Sequence, residues 1–531
     1  MTDRHVPVLV VGGSLVGLST SVLLAHHGVP HLLVEHHSGT AIHPRAASFH
    51  QRTMEVFRSV GIQSEVEQAA ALEFVQNGAI VAVESLGGRE LATFFANFNA
   101  GVEELSPTSR LFITQVGLEP VLRDRAVALG AEHLFGTELV SLTEQPDHVA
   151  AVLRPRSGGA DIEITADHVV AADGAHSRIR EQLGIPLAGH GDVADCVTIY
   201  FRSDLRDLIG DRNLSVVYVN HPNLLGFFRF AIDAQSGFLA VFATFDAEGV
   251  RDNNVARDLE PDRCVELVRT ALGAVDDRPI EVETVQYWTA SAATATSFGR
   301  GRVFLAGDSA HVMPPTGGFG GNTGVADAHN LAWKLAMVHR GIAGPGLLDT
   351  YDSERRPVAD LTVEQAYTRY ALRVDPSLPK DDLQPALDDP SIELGAVVAS
   401  SAVAGADLPE PPLENPRDGN WSVGARVPHR WLDRERSVST VDLASDGFAL
   451  VVPPGHIGYD QAVQQIEAGT GLRLKIHHLA DASGVDAPGA VLIRPDAVIA
   501  WASADAEAGA ASLPEALASL LSTPAQVAST G

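Results

Sequence analysis

The chain has 531 residues, of which 45% are hydrophobic and 20% charged, a composition that excludes disorder and a length that calls for two or three domains. Its 38 basic and 67 acidic residues give a formal charge of −29, which excludes a nucleic-acid or anionic-membrane surface because either needs clustered Lys and Arg. Two cysteines, Cys196 and Cys264, cannot staple a fold of this size and point to a reducing cytoplasm.

Residues Val6 to Ala25 are apolar enough to suggest a signal peptide. However, Gly12, Gly13, Ser14 and Gly17 interrupt them, and the apolar pattern resumes at His31-Leu-Leu-Val-Glu35. Strand, tight turn, helix and second strand explain that order better. No other stretch is long and apolar enough to span a bilayer. Val8 to Val11 and Leu32 to Glu35 are predicted strands, and Leu15 to His27, Gln51 to Val60 and Gly117 to Leu129 predicted helices. His168 to Ala171 is a further buried strand. This alternation predicts a doubly wound α/β layer.

Between Asp195 and Trp288 the pattern changes to β-rich runs: Val197-Thr-Ile-Tyr-Phe, Ser215-Val-Val-Tyr-Val, Phe227-Phe-Arg-Phe and Phe238-Leu-Ala-Val-Phe-Ala-Thr-Phe. Turn signals between them predict an antiparallel meander with an aromatic-rich face. Arg302 to Ala306 returns to a buried strand, and a long helix is expected from Gly321 to Arg340, with helical segments continuing to Val374. Pro, Gly and acidic residues mark a linker at 404–420. A smaller α/β pattern follows, with strands at Phe448 to Val452 and Val491 to Ile493.

Three motifs carry the chemistry. The first is Val10-Val-Gly-Gly-Ser-Leu-Val-Gly17, closed by Glu35 eighteen residues after Gly17. A strand turning sharply into a helix aims the amides of Leu15, Val16 and Gly17 at a phosphate, where the helix dipole favours negative charge. Gly12 allows the turn, Gly17 the packing of helix on sheet, and Glu35, with His36 beside it, can accept from a ribose hydroxyl. The middle glycine of the usual G-x-G-x-x-G is Ser14 here, and alone such a turn can serve packing only. The second is Val169-Val-Ala-Ala-Asp-Gly-Ala-His-Ser-Arg178, with Asp173-Gly174 ending a strand and Ser177 placed as a helix N-cap; Asp173 alone can be an ordinary turn residue. The third, Arg302 to Lys334, leads a strand into Gly307-Asp308, where a carboxylate can bind a polyol. Pro314 and Pro315 then stiffen the chain before the helix start at Gly318, Gly320, Gly321 and Asn322, whose main-chain N–H groups can face an anionic ring edge. Trp333 and Lys334 are read as a packed aromatic and its solvated neighbour.

These motifs, in this order and at these separations, resemble those of the class A flavoprotein monooxygenases, over about residues 1–375. His43-Pro-Arg-Ala, Gln51-Arg-Thr-Met-Glu55 and Gln115-Val-Gly-Leu-Glu-Pro-Val-Leu122 also match, and the aromatic polyketide hydroxylases, with phenol hydroxylases as cousins, are the nearest branch. The resemblance implies FAD as cofactor, with the first motif on its ADP part, the second on FAD and the nicotinamide cofactor, and the third on ribose and ribityl. It also implies that Arg45 and Gln115 contact the flavin; as a residue type, Arg45 can equally be a surface ion pair. The expected reaction is hydroxylation of an aromatic substrate, a polycyclic polyketide, with O2 and NAD(P)H, NADPH being favoured by the family, through a C4a-hydroperoxyflavin. Baeyer–Villiger or epoxidising oxygen insertion, simple phenols as substrates, and a non-oxygenating flavoprotein stay open as alternatives.

The implied architecture is α/β with α+β parts. A Rossmann-like FAD-binding domain takes residues 1–180 and 289–375, with part of the substrate layer inserted in its first segment. An antiparallel-sheet substrate domain follows at 181–288, then a linker at 376–420. Residues 421–531 resemble the thioredoxin-like domain appended to several phenol and polyketide hydroxylases. No cysteine follows Cys264, so a packing or association role is expected there instead of redox chemistry. The chain is expected to be a monomer or homodimer. Phe227, Phe228 and Phe230 can wall a flat substrate or simply fill a sheet core. Tyr218 and Arg373 resemble polar residues that face substrate in the polyketide hydroxylases; the alternatives are a tyrosine capping the sheet core and a cation at a helix C-terminus. Seven histidines lie between His26 and His50, but none falls in a metal-binding spacing, and no metal is expected.

Overall fold

The computed structural model describes residues 4–522, apart from 43–46, 247, 253–254, 256–258, 274–276, 381–382, 407, 453, 455–457, 479–486 and 488. Its first layer is built on five parallel strands. They lie side by side in the order Val303–Leu305, Ile162–Ala171, Arg4–Val11, His31–Glu35 and Glu132–Phe135. Leu9, Val10, Leu32, Leu33, Val169 and Val170 are all fully buried, as near-continuous apolar strands covered on both faces must be. The helix Leu15–His26 packs between this sheet, the helix Gln115–Ala128 and the long helix Phe319–His339. It is therefore buried on most of its circumference and lacks a single apolar stripe.

The second layer is a nine-stranded sheet drawn from three parts of the sequence. Its order is His311–Val312, Glu281–Ala295, Leu187–Arg202, Ser236–Phe245, Leu224–Phe230, Leu214–His221, Ala79–Val83 and Glu90–Phe95, with Arg251–Asp252 beside Ser236–Phe245. Because side chains alternate with period two, Val197, Ile199, Val217, Phe228, Phe230 and Leu239 share one face with the helix Pro261–Leu272. Cys196, Tyr218, Phe227 and Phe242 lie on the other. Of the three phenylalanines read together, Phe228 and Phe230 are thus sheet core on the helix side, and only Phe227 lies on the other face, packed against the clusters around Phe242 and Phe112.

Residues after 375 are anchored as well. The Arg369 guanidinium donates to the Leu387 carbonyl and Asp389 at 2.7 Å each, and Ile392 buries with Phe319 and Ala366. The stretch read as a linker therefore packs along the core. The C-terminal sheet runs Leu474–His478, Phe448–Val452, Ala490–Ile493 and Ile499–Ser503, the first pair parallel and the others antiparallel. With the helices Tyr459–Thr470 and Ala506–Leu520 this is a βαβ unit followed by ββα, the thioredoxin arrangement without its cysteines. Among the described residues no helix is long and apolar enough to cross a membrane.

Candidate active site

The three motifs converge at the carboxyl ends of the strands Arg4–Val11, Ile162–Ala171 and Val303–Leu305, where ligands bind in open α/β sheets. Gly12 has a φ of +106° and lies so close to the Ala172 carbonyl that a Cβ would overlap it; a Cβ on Gly17 would overlap the Gly12 carbonyl. Ser14 does not obstruct the turn. Its hydroxyl donates to Glu119 Oε1 at 2.6 Å and accepts from Gln115 Nε2 at 3.0 Å, which draws it toward the Gln115–Ala128 helix. Leu15 is buried beneath the turn. Val16 bridges to the third motif, since a Cβ on Gly307 or Gly324 would meet its Cγ2 at 2.6 or 2.5 Å.

Glu35 is 6% exposed. Its carboxylate accepts the Gly13 N–H at 2.6 Å and the His37 N–H at 2.7 Å, with the Nδ1 atoms of His36 and His37 at 3.0 and 2.8 Å. It thus holds a fixed position at the rim of the glycine turn. Glu119 escaped the sequence reading. It is fully buried, also accepts the Ala41 N–H at 2.7 Å, and burial raises its carboxyl above the ordinary range. The signal was the four-residue spacing from Gln115 on one helix face.

Asp173 Oδ2 accepts the Ile179 N–H at 3.3 Å, whereas its Oδ1 is buried with no protein partner among the described residues, as is Gln115 Oε1. Burial raises the Asp173 carboxyl. Gly174, at φ +84°, faces open space. Ser177 caps its helix as expected, accepting the Arg180 N–H at 3.0 Å, and the Arg180 guanidinium reaches the Ser309 carbonyl at 3.1 Å. Asp308 is exposed on a 3₁₀ turn between buried Gly307 and Ser309. That turn is held from below by Asp327, which accepts the Gly307 N–H at 3.1 Å, pairs with His311 Nε2 at 2.7 Å and takes Arg355 Nε at 2.9 Å. Burial alone would raise the Asp327 carboxyl; His311 and Arg355 bring it down.

Pro315 turns the chain by accepting the Gly318 N–H at 3.0 Å, and Gly317 and Gly318, at φ +92° and +69°, start the helix Phe319–His339. Gly320 and Gly321 are partly exposed, and the first-turn N–H groups have no acceptors within the helix. Asn322 departs from the expectation in its side chain. Its Oδ1 accepts the His50 N–H at 2.9 Å and the Thr53 hydroxyl at 2.6 Å, and its Nδ2 donates to the carbonyls of Ser48 and Gly318. Only its main chain remains for a ligand. Arg45 lies outside the described residues. A glycine cradle, two unpartnered buried acceptors, an exposed Asp308 and a free helix N-terminus suit a long ligand with a pyrophosphate, hydroxyl groups and an electron-poor ring, which is the chemistry of FAD.

Tyr218 lies in a series of aromatic rings on the sheet face that carries Phe227. The Tyr218 ring lies 5.9 Å from Phe94 and 6.0 Å from Phe227; Phe227 is 5.7 Å from Phe242, and Phe242 is 6.0 Å from Tyr370 of the helix Gly346–Arg373. Burial raises the Tyr218 phenol, and the charges of Arg373 and Arg229 act against that rise. Arg373 is exposed at the end of its helix. Arg229 was not anticipated. It is buried, hydrogen-bonded to the Ala47 carbonyl, and lies 4.2 Å over Phe112 and 5.1 Å over Phe74. Burial lowers its guanidinium to about 9. An arginine inside the run Phe227-Phe-Arg-Phe230 was the available clue.

Comparison with known proteins agrees with this geometry. Residues 5–366 match the FAD binding domain family, and residues 421–524 match the aromatic-ring hydroxylase C-terminal family. The chain is 45% identical over 540 residues to a 4-methyl-5-nitrocatechol 5-monooxygenase of a Burkholderia species, covering 98% of both chains. It is 37% identical over 532 residues to an aklavinone 12-hydroxylase of Streptomyces purpurascens, covering 96% of this chain and 98% of that one. The crystal structure of aklavinone-11 hydroxylase with FAD and aklavinone matches with a TM-score of 0.91 at 35% identity, over 98% of this chain and all of that one. Geometry and likeness over nearly the whole length thus lead to one conclusion: the chain belongs to the FAD-dependent aromatic-ring hydroxylases and is a flavoprotein monooxygenase.

Proposed function

We propose that the enzyme hydroxylates a phenolic ring of a polycyclic aromatic polyketide, with NADPH as electron donor. One atom of O2 enters the ring as a hydroxyl, the ring hydrogen is displaced as a proton, and the other oxygen atom leaves as water with the two electrons of NADPH. FAD, when bound, supplies the electron transfer and the activation of oxygen. Its pyrophosphate is assigned to the turn Gly12-Gly-Ser14-Leu15-Val16-Gly17, its ribose to Glu35 with His36 alongside, and its ribityl region to Gln115, Asp173, Gly174 and Asp308. Its ring edge is assigned to Pro315, Gly318, Gly320, Gly321 and the main chain of Asn322, where helix N-terminal amides stabilise negative charge. Arg45 is assigned to the flavin on the resemblance alone.

What supports the substrate reading is the place of Tyr218 in a series of aromatic rings, between Phe94 and Phe227, with the charge of Arg373 acting on its phenol. A cation beside a phenol lowers its pKa, and the phenolate is the more reactive nucleophile. Arg373 supplies that cation, while the Tyr218 hydroxyl hydrogen-bonds a phenol or quinone oxygen and fixes which carbon is hydroxylated. The apolar walls exclude water from the reacting centre. A monocyclic nitrocatechol is the second reading, favoured by the 45% identity to the Burkholderia enzyme.

The test compares 4-methyl-5-nitrocatechol with aklavinone-type tetracycles for NADPH oxidation and for product formed under labelled oxygen. The tetracycles should couple better, and labelled oxygen should appear on a ring carbon. Tyr218→Phe and Arg373→Ala should keep FAD content and lower product per NADPH consumed. Unchanged coupling in both variants with every phenol defeats the reading.

A further inference from the structure

The edge strand Glu90–Phe95 is exposed along its whole length. Its pairing with Ala79–Val83 slips by one residue: Ile80 faces Phe95 and Val81 faces Thr93, so Phe94 is the extra residue of a β-bulge. Bulges re-aim a side chain and occur beside active sites. By alternation Phe94 shares with Ala92 the sheet face of Ala82 and Tyr218, the bulge leaves it without a cross-strand partner, and its ring stands perpendicular to Tyr218 at 89°.

Phe94 ends the aromatic series Tyr370, Phe242, Phe227, Tyr218. The inner members pack on more than one side. Phe94 touches the series only at Tyr218 among the described rings, and its residue remains 48% exposed. It belongs to none of the buried apolar clusters, although its neighbours Ile80 and Tyr218 pack against Phe74, Phe98 and Phe112. An exposed aromatic ring on an edge strand is a liability that proteins ordinarily remove. This one is aimed at the rim of the site instead.

We infer that Phe94 is a specificity-determining platform that covers the outer rings of a fused-ring substrate whose reacting ring lies at Tyr218. The inference rests on the reading of Tyr218 as a substrate contact. A single-ring phenol at Tyr218 ends before Phe94 and leaves that ring in water. A tetracyclic substrate extends over it and buries its free face, gaining apolar contact and offset stacking.

The test uses FAD-loaded full-length enzyme with aklavinone and 4-methyl-5-nitrocatechol, following the flavin absorbance change on binding and the steady-state rates. Phe94→Ala should raise KM for aklavinone about tenfold, the worth of one good aromatic contact, and shift KM for the nitrocatechol less than twofold. Phe94→Trp, which keeps a flat apolar surface, should restore the aklavinone value. Thr93→Ala, on the opposite face of the strand, should shift neither. Equal effects on both substrates, no effect on either, or failure of aklavinone to bind the parent enzyme overturns the proposal. Tyr218→Phe, measured alongside, separates the two ideas: if it alters coupling while Phe94→Ala leaves the substrate ratio unchanged, only the Phe94 platform falls.

Discussion

Arg494 of the C-terminal domain and Glu354 of the helix Gly346–Arg373 share two hydrogen bonds of 2.8 Å, and both side chains are fully buried. Lys334 joins them at 3.0 Å from Glu354, and Asp496 at 2.6 Å from Arg494. Burial alone would raise the Glu354 carboxyl; Arg494 and Lys334 hold it far below its ordinary range. Two positive and two negative charges thus neutralise one another at the domain boundary, beneath the face of Trp333. A lysine read from sequence as solvated is part of this buried lock.

Breaking one member should be costly because its partner stays buried and uncompensated. Arg494→Met is expected to lower stability by about 3–5 kcal/mol, read by chemical denaturation of the FAD-loaded enzyme. Removing residues 421–531 would expose the same charges and Trp333, and should abolish soluble expression. Unchanged melting temperature and oligomeric state after that deletion would show that the domain has no packing role.

Stability should fall with acid in two windows. Burial lowers His329 from 6.5 to about 3, so the unfolded chain binds this proton first, and stability declines as pH falls below 6.5 toward that value. His27, His31, His133 and His168 are lowered for the same reason. Glu354, Asp496 and Asp327 have lowered folded values, so their contribution is full above the unfolded values of 4.5 and 3.8 and is lost as pH falls through the folded ones. Melting curves at pH 7.5, 6.0 and 5.0 should show a smaller decline for His329→Asn than for the parent. An identical decline would remove His329 from the account.

The cofactor turn has no room for a side chain. Gly17→Ala would drive a Cβ into the Gly12 carbonyl, so the protein should purify with little flavin absorbance even where it folds. Retention of a full complement of FAD by this variant would contradict the packing of turn on helix.

Asp327 holds the Gly307–Ser309 turn, which the proposed reading assigns to the cofactor. Asp327→Asn should weaken FAD binding about tenfold or more, since a carboxylate hydrogen-bonded to a cation and a main-chain N–H is worth roughly 1.5–3 kcal/mol per charged bond. Titration of apoprotein with FAD, following flavin fluorescence, measures this. Affinity equal to the parent would assign Asp327 to folding alone.

Neither thiol should react in the native protein. Cys196 and Cys264 are both buried, and burial pushes the Cys196 thiol up to about 12. Ellman's reagent should label none before denaturation and two per chain after it.

What the chain alone disclosed is what local sequence dictates. The glycine turn, Glu35, Asp173 and Asp308 sit at strand ends where backbone geometry and a few neighbours dictate the residue type, and the period-two runs announced the antiparallel sheet. The likeness to a known family added the cofactor and the reaction. The structure decided what depends on distant partners. Alternation could say that Phe227 and Phe228 face opposite ways, but only the position of the helix Pro261–Leu272 against one face made Phe228 core on the helix side and left Phe227 on the face of Tyr218. The strands Ala79–Val83 and Glu90–Phe95 enter that sheet from the far side of the FAD-binding segment, so Phe94 could not be placed beside Tyr218 from their separation in sequence. Asp327 beneath Asp308, Glu119 behind Ser14 and Lys334 against Glu354 are further cases. A charged side chain is tolerated in the interior only when partners from other elements satisfy it, by an opposite charge as at Glu354 or by hydrogen bonds as at Glu119, and those partners are chosen by packing, not by the residues on either side.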